Sequence, residues 1–291
     1  FVDADSARVG LPVFNPGIIG TIEDIPSIVR SRAIDKVVVS LADARGKLPM
    51  QKLLEMRMGG VAFEHLASIY EEYTGKIAVE NLRPSWLIFS AGFRKSRWRD
   101  TVKRSIDVSA AAVGLVIAMP ILLVLALVVW LTSRGAVLYK QQRVGLQGEL
   151  FTVYKLRSMR SDAEAATGAV WAQAGDARMT RVGGFMRRLR LDELPQLWNV
   201  IRGDMSLVGP RPERPEFVSS LAAQIPFYGQ RHVVKPGLTG WAQVRYTYGA
   251  TVEDAMEKLQ YDLYYIKNLS ISLDLFILFE TMKTVALRRG V

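Results

Sequence analysis

The chain has 291 residues, 49% of them hydrophobic, with 38 basic against 28 acidic side chains and a net charge of +10. That length exceeds a usual single domain, so two units are expected, and the charge calls for an anionic partner: nucleic acid, an acidic membrane surface or a phosphorylated substrate. The absence of cysteine excludes disulfides, zinc thiolate sites and thiol catalysis.

The chain opens at Phe1, and residues 1–15 lack the basic start and apolar stretch of a signal peptide, so it is expected to be a piece of a larger protein. After the turn-forming Asn15-Pro16-Gly17, the run Thr21-Ile22-Glu23-Asp24 caps a helix through Arg32. Lys36-Val-Val-Val-Ser-Leu41 has the pattern of a buried strand. A second helix through Met58 and a short strand at Val61-Ala-Phe63 continue a βαβ rhythm. Residues 1–92 therefore read as an incomplete Rossmann-like α/β domain, part of a doubly wound sheet. No Gly-x-Gly-x-x-Gly opens it, so a regulatory or scaffolding role fits better than dinucleotide binding.

Residues 93–104 carry six basic side chains with Phe93, Trp98 and a single acid, Asp100. From Val108 to Ser133 no residue is charged, a span of 26, where roughly 20 apolar residues cross a bilayer as a helix. The basic run is then an interfacial anchor to anionic lipid headgroups. Pro120 divides the segment, and Arg134, Lys140, Arg143, Lys155, Arg157 and Arg160 crowd its far side, so the positive-inside rule places both flanks in the cytoplasm. Over residues 93–138 this predicts a re-entrant helical hairpin broken at Pro120, because proline removes one backbone hydrogen bond and bends a helix. A kinked single span is the alternative. From Tyr139 onward the chain is soluble in character but keeps basic and apolar stretches. Near its end, Leu273–Phe279 and Met282–Leu287 predict an apolar helix on or near the membrane.

Chemistry concentrates in Arg187-Arg-Leu-Arg-Leu-Asp-Glu-Leu-Pro-Gln-Leu-Trp-Asn199. Asp192 is placed to cap a helix with Glu193 in its first turn and Pro195 tolerated there, a position that keeps Asp192 ionised. Arg187, Arg188 and Arg190 supply countercharge for a polyanion. A capping aspartate beside a solvated basic face would look the same. A second cluster, Gly203 to Glu213, holds Arg211 between Pro210 and Pro212 in a stiff loop able to aim a guanidinium at phosphate. A third, Tyr139 to Gly148 followed by Phe151 to Met159, adds glycine turns with Lys155 and Arg157. His65 and His232 form no ligand spacing and read as structural.

From Lys103 to Gly290 these motifs resemble one family, the monotopic bacterial polyprenyl-phosphate phosphoglycosyl transferases. The likeness rests on Lys103-Arg-Ser-Ile-Asp107, Lys155-Leu-Arg-Ser-Met159, Thr180-Arg-Val-Gly183, Leu191-Asp-Glu-Leu-Pro-Gln196, Gly209-Pro-Arg-Pro212, Lys235-Pro-Gly-Leu-Thr-Gly-Trp241 and Tyr261-Asp-Leu-Tyr-Tyr-Ile266. The resemblance implies that residues 139–291 are a mostly α, monotopic catalytic domain on the cytoplasmic face of a bacterial inner membrane; larger members place a Rossmann-like domain before the catalytic part, as residues 1–95 would be, and oligomers such as a homodimer fit them. One departure is Met119-Pro120 where small relatives have Ser-Pro.

The resemblance implies that Asp192 is a nucleophile with Glu193 as its dyad partner. Attack on a UDP-sugar, with UDP-glucose and UDP-galactose as the leading donors, would expel UMP and leave an aspartyl phosphosugar. Undecaprenyl phosphate would then take the sugar phosphate, the first membrane step of capsule, exopolysaccharide or O-antigen synthesis. The family's cofactor is Mg2+, placed near Asp192 and Glu193, and Arg187 and Arg211 correspond to phosphate or substrate contacts. Two rivals stand beside this: a direct single displacement with Asp192 as metal ligand, and a membrane-tethered nucleotide-sugar binding or scaffolding protein without turnover. A nucleic-acid binder has no recognition signature here and leaves the uncharged segment unexplained.

Overall fold

A computed structural model describes residues 1–13, 17–40, 49–79, 92–93, 96–160, 162–163, 168, 170, 176, 178–246, 249 and 251–286. The Asn15-Pro16 turn, Leu41, Arg94, Lys95 and Leu287 lie outside them. The chain divides into two compact units, Phe1–Gly75 and Lys76–Val291.

In the first unit the Asp24 carboxylate accepts hydrogen bonds from the backbone N–H and hydroxyl of Thr21 at 2.8 and 2.9 Å. This starts a 3-10 turn, Ile22–Asp24, that runs into helix α1, Ile25–Ser31. Strand β1 (Lys36–Val39), helix α2 (Met50–Met58), strand β2 (Ala62–His65) and helix α3 (Leu66–Thr74) follow. β1 and β2 pair in parallel, Lys36 opposite Ala62 and Val39 opposite His65, as a helical crossover requires. Ile22, Ile25, Val29 and Leu53 form the core. Among the described residues this is one βαβ unit, and two strands do not make a doubly wound sheet. Nor is β1 buried as its apolar run suggests: it alternates exposed and half-buried positions, because a parallel sheet is buried on both faces only where helices cover both.

The second unit begins with helix α4, Arg97–Thr132. The two helical pieces expected on either side of Pro120 are one continuous run of 36 helical residues. Its buried or packed positions are Asp107, Ala111, Leu115, Ala118, Leu122, Leu125 and Val129, spaced by three or four as one helix face. The opposite face is apolar and exposed, with Val113, Val116, Ile117, Val124, Leu127 and Leu131 in the open. A core helix would bury such residues, yet only 11% of its most apolar 18-residue window, of mean hydropathy 3.0, is buried. The exposed face belongs in lipid.

Both ends of α4 are fastened to the same folded body. Near its start, Lys103 Nζ donates to the Val208 carbonyl (3.2 Å) and Asp274 (2.8 Å). Arg104 donates to the carbonyls of Val200 and Ile201 (2.6 and 2.8 Å), and Asp107 accepts from the Ser206 hydroxyl and the Leu207 N–H. At its far end Val129 packs with Leu156 and Met186, and the carbonyl and hydroxyl of Ser133 accept from Arg157 at 2.8 Å. Lys103 and Arg104 thus turn inward, and among the described residues of the basic run Arg97, with Trp98, is exposed.

After α4 come the hairpin β3 (Leu138–Val144) and β4 (Leu150–Leu156), helices α5 (Arg181–Arg188) and α6 (Gln196–Arg202), and strand β5 (Ser206–Val208). Helix α7 (Pro215–Gln224), strand β6 (Gly237–Thr239) and helices α8 (Trp241–Arg245), α9 (Val252–Lys267) and α10 (Ile271–Ala286) complete it. β3 and β4 are antiparallel and β5 and β6 parallel. Ile77, Val200, Met205, Leu259, Leu263 and Ile277 lie in its core. α10 is the expected apolar helix: Ile277 is buried, while Leu275, Phe276, Phe279 and Met282 are exposed.

Candidate active site

The chain leaves α5 through Arg190, whose backbone takes the left-handed conformation (φ 53°, ψ 23°), uncommon for a residue with a Cβ. A 3-10 turn, Leu191–Glu193, follows, and Pro195 occupies the cap of α6. Asp192 is therefore not the N-cap that its sequence context suggests. Both carboxylates sit in a tight turn one step before the helix, and both are buried, 5% and 7% exposed.

The two differ in their partners. Glu193 Oε1 accepts from Lys155 Nζ at 2.9 Å and from Arg211 Nη2 at 2.5 Å. Its Oε2 lies 3.5 Å from Arg211 Nη1 and 3.7 Å from Arg190 Nη1. Burial pushes the Glu193 carboxyl up, but Arg211, Lys155 and Arg190 overcome it and hold it well below the usual glutamate range. Asp192 makes no hydrogen bond or ion pair with a described residue. Its burial, and after that the neighbouring Glu193, raise its pKa above the ordinary value, against the pull of Lys155, Arg187 and Arg211. The helix cap expected to favour the ionised form of Asp192 is absent, and its surroundings shift its carboxyl upward instead. The cations close on Glu193, and the desolvation of Asp192 is left only partly compensated.

Each cation comes from a separate element. Lys155 stands on β4, and Asn199 of α6 binds that strand: its Nδ2 donates to the Thr152 carbonyl (2.7 Å) and its Oδ1 accepts from the Tyr154 N–H (3.2 Å). Asn199 is fully buried. Arg187, in the last turn of α5, donates from Nε to the Ser158 hydroxyl (2.9 Å). That approach depends on Gly183, where a Cβ would stand 1.8 Å from the Ser158 carbonyl oxygen. Lys155, Arg187 and Arg211 thus gather around Asp192 and Glu193. Arg157 does not join them: one of its nitrogens clasps Ser133 at the end of α4, and its Nε and Nη1 are buried without partners. His65 caps α3 through the Ala67 N–H, and His232 packs edge-on against Tyr228 with its pKa lowered to about 4 by burial and Arg231.

Among the described residues no three or more His, Cys, Asp or Glu are grouped to hold a metal. Magnesium needs only one or two protein carboxylates where substrate phosphate and water complete its shell. Asp192, which no cation pairs, fits that part, and Glu193, engaged by Lys155, Arg211 and Arg190, does not. Sequence reasoning misses Asn199, Ser158, Arg231 and Asp262. The presence of Asn199 inside the dyad motif, of Ser158 inside Lys155–Met159 and of Asp262 inside Tyr261–Ile266 gives a signal for three of them, and Arg231 lies in none of the quoted motifs.

Residues 98–288 match the family model described as bacterial sugar transferase. The chain belongs to that family. This is the same group that the motifs resemble, the polyprenyl-phosphate phosphoglycosyl transferases. The chain is 43% identical over 221 residues to a UDP-N-acetylgalactosamine-undecaprenyl-phosphate N-acetylgalactosaminephosphotransferase of Aeromonas hydrophila, covering 76% of this chain and 51% of the relative. It is 37% identical over 270 residues to an undecaprenyl-phosphate glucose phosphotransferase of Komagataeibacter xylinus, covering 91% of this chain and 51% of that one. A UDP-glucose:undecaprenyl-phosphate glucose-1-phosphate transferase of Caulobacter vibrioides is 44% identical over 188 residues, 64% of this chain and 70% of the relative. The chain spans about half the length of the first two. α4 from Trp98 onward, the dyad and its cations all fall inside the family match.

Proposed function

We propose that the chain transfers a sugar 1-phosphate from a UDP-sugar to undecaprenyl phosphate and releases UMP, through a covalent intermediate on Asp192. One observation carries this: a buried carboxylate that no described residue hydrogen-bonds or pairs stands beside a second carboxylate that holds Lys155 and Arg211 in place. An oxygen of Asp192 attacks the sugar-bearing phosphorus, the bond from that phosphorus to the bridging oxygen breaks, and UMP leaves with the electron pair. An oxygen of the lipid phosphate then attacks the same phosphorus, and the bond to Asp192 breaks and restores the carboxylate.

Glu193 in this scheme is the fixed countercharge. It keeps two cations beside Asp192 without letting them close on the nucleophile, so they remain available to phosphate oxygens as charge develops. Arg187 reaches the same space from α5. Asp192, with substrate phosphates, would hold Mg2+, which when bound neutralises charge on the diphosphate. α4 fits an enzyme seated in one leaflet: the body that grips both its ends is polar and cannot stand on both sides of a bilayer. We place that body, residues 139–291, on the cytoplasmic face of the inner membrane, where UDP-sugars are made and where the acceptor's phosphate lies at headgroup level. Residues 1–92 serve in regulation or scaffolding. Relatives named for glucose and for N-acetylgalactosamine leave UDP-glucose, UDP-galactose and their N-acetyl forms as the donors to try.

The test is UMP release by the detergent-solubilised chain with magnesium, undecaprenyl phosphate and that donor panel, wild type beside Asp192→Asn. Lipid-dependent UMP with one donor, lost in the variant, supports the assignment. A folded wild type that binds UDP-sugar and releases no UMP is a binding protein instead.

A further inference from the structure

The loop Gly209–Glu213 presents Arg211 to Glu193 while lying in neither helix nor strand. Pro210 and Pro212 have no N–H to give, so beyond the Gly209 N–H, which donates to the Thr239 carbonyl (2.9 Å), the loop is held through its carbonyl oxygens. β6, the 3-10 turn Tyr228–Val233 and, twice, β3 take them. Pro210 O accepts from Gly237 N (2.9 Å), Arg211 O from Arg231 Nη2 (2.9 Å), Pro212 O from Arg143 Nη1 (3.0 Å) and Glu213 O from Val144 N (3.0 Å). The start of the loop lies so close to β6 that a Cβ on Gly237 would stand 2.1 Å from Gly209 N.

Two of these four holds are guanidinium groups that make no hydrogen bond or ion pair with Asp192 or Glu193. Arg231 is itself locked: Nε and Nη2 donate to Asp262 Oδ2 at 3.1 and 2.8 Å, and Nη1 donates to the Tyr228 hydroxyl at 2.7 Å. Arg231 and Asp262 are 6% and 2% exposed. Arg143 is steadied by Gln141 Oε1, which accepts from its Nε and Nη2 at 3.0 and 2.6 Å. A buried ion pair is weak as a source of net stability, and water would satisfy a loop carbonyl nearly as well. What a locked guanidinium supplies and water does not is a fixed position.

We propose that Arg231, backed by Asp262, and Arg143 are positioning residues for the transfer reaction. They hold the main chain at and just after Arg211, and so set where its guanidinium stands beside Glu193 and the substrate phosphate. This rests on the assignment of Arg211 to the transfer site. Misplacing a catalytic cation by an ångström costs on the order of 100-fold in rate, which makes the effect large enough to read.

The test is a double-mutant cycle on the full chain, with melting temperature as a folding control. Arg231→Lys is expected to lower kcat for UMP release by about tenfold or more when Arg211 is present, and by less than about twofold in the Arg211→Ala background. Equal factors in both backgrounds would show a general structural role and overturn the proposal. Arg143→Met supplies an independent arm with the same expectation, and Arg143→Lys, which still donates to the Pro212 carbonyl, should recover most of the rate. A reading that needs no turnover separates this from the function itself. In the Asp192→Asn background, Arg231→Lys should weaken UDP-sugar binding by about tenfold when Arg211 is present and by less than about twofold in Arg211→Ala. Binding that weakens equally with and without Arg211, or not at all, contradicts the proposal whether or not any UDP-sugar is turned over. Arg211-dependent weakening of binding in a chain whose wild type releases no UMP upholds the positioning and removes the transferase assignment.

Discussion

The two units handle charge in opposite ways. In the first, Arg8 pairs with Asp3 and Lys36 with Glu64 through side chains 25–53% exposed, and Glu71 is its one buried charged residue among those described. In the second, Asp107, Arg157, Asp192, Glu193, Arg231, Asp262 and Asp274 are all buried. Taking an ion out of water costs several kcal/mol before its partner repays any of it. A fold that buries so many gives up stability for placement, and the placements converge on the base of α4 and on the dyad. The proposed transfer site lies in the unit with the buried charges.

The comparison breaks first at the dyad. Asp192→Asn removes the attacking oxygen's charge and should lower UMP release by about 1,000-fold or more, measured at saturating donor. Glu193→Gln should cost activity and also about 3 kcal/mol of stability, because it leaves Lys155 and Arg211 facing a buried neutral group. Denaturant midpoints give that figure, and an unshifted midpoint would mean the cations relax into water. Asn199→Ala, in which no charge changes, should cost about 2–4 kcal/mol by stranding the Thr152 carbonyl and the Tyr154 N–H.

A subtler effect is the acid side of the pH–rate profile. The Asp192 pKa lies above the ordinary 3.8, so its carboxylate is protonated, and the rate lost, as pH falls through that higher value, while Glu193 stays ionised. An acid limb at or below 3.8 would contradict the assignment, the profile reporting the coupled pair. The smallest effect is expected in the first unit. Glu64→Gln breaks a surface pair and should leave both melting temperature and UMP release within error.

Much of this architecture is legible in the sequence, where it depends on local spacing. The cap at Thr21, the apolar segment and the dyad motif follow from residues within a turn or two of one another. The relative acidity of the two carboxylates does not. It is decided by Lys155 and Arg211, 38 and 18 residues from Glu193, and only the folded chain shows which neighbour they meet. The same holds for Arg231 and Asp262, 31 residues apart. Pro120 shows a related effect. Its local rule says break, yet helical residues run through it from Arg97 to Thr132, along a stripe from Asp107 to Val129 that packs on the body. β1 misleads in the other direction, since an apolar run says buried only if enough structure is present to cover it.

A double displacement requires a covalent bond to Asp192. Wild type is incubated with magnesium and its UDP-sugar donor in the absence of any lipid acceptor, and the intact mass and the Asp192-containing peptide are then read by mass spectrometry. The account requires a stoichiometric burst of UMP, an added mass equal to the donor's sugar phosphate on Asp192, its discharge when undecaprenyl phosphate is added, and no adduct in Asp192→Asn. Turnover that proceeds with lipid but shows neither burst nor adduct without it would mean a single displacement and would take the nucleophile's role from Asp192.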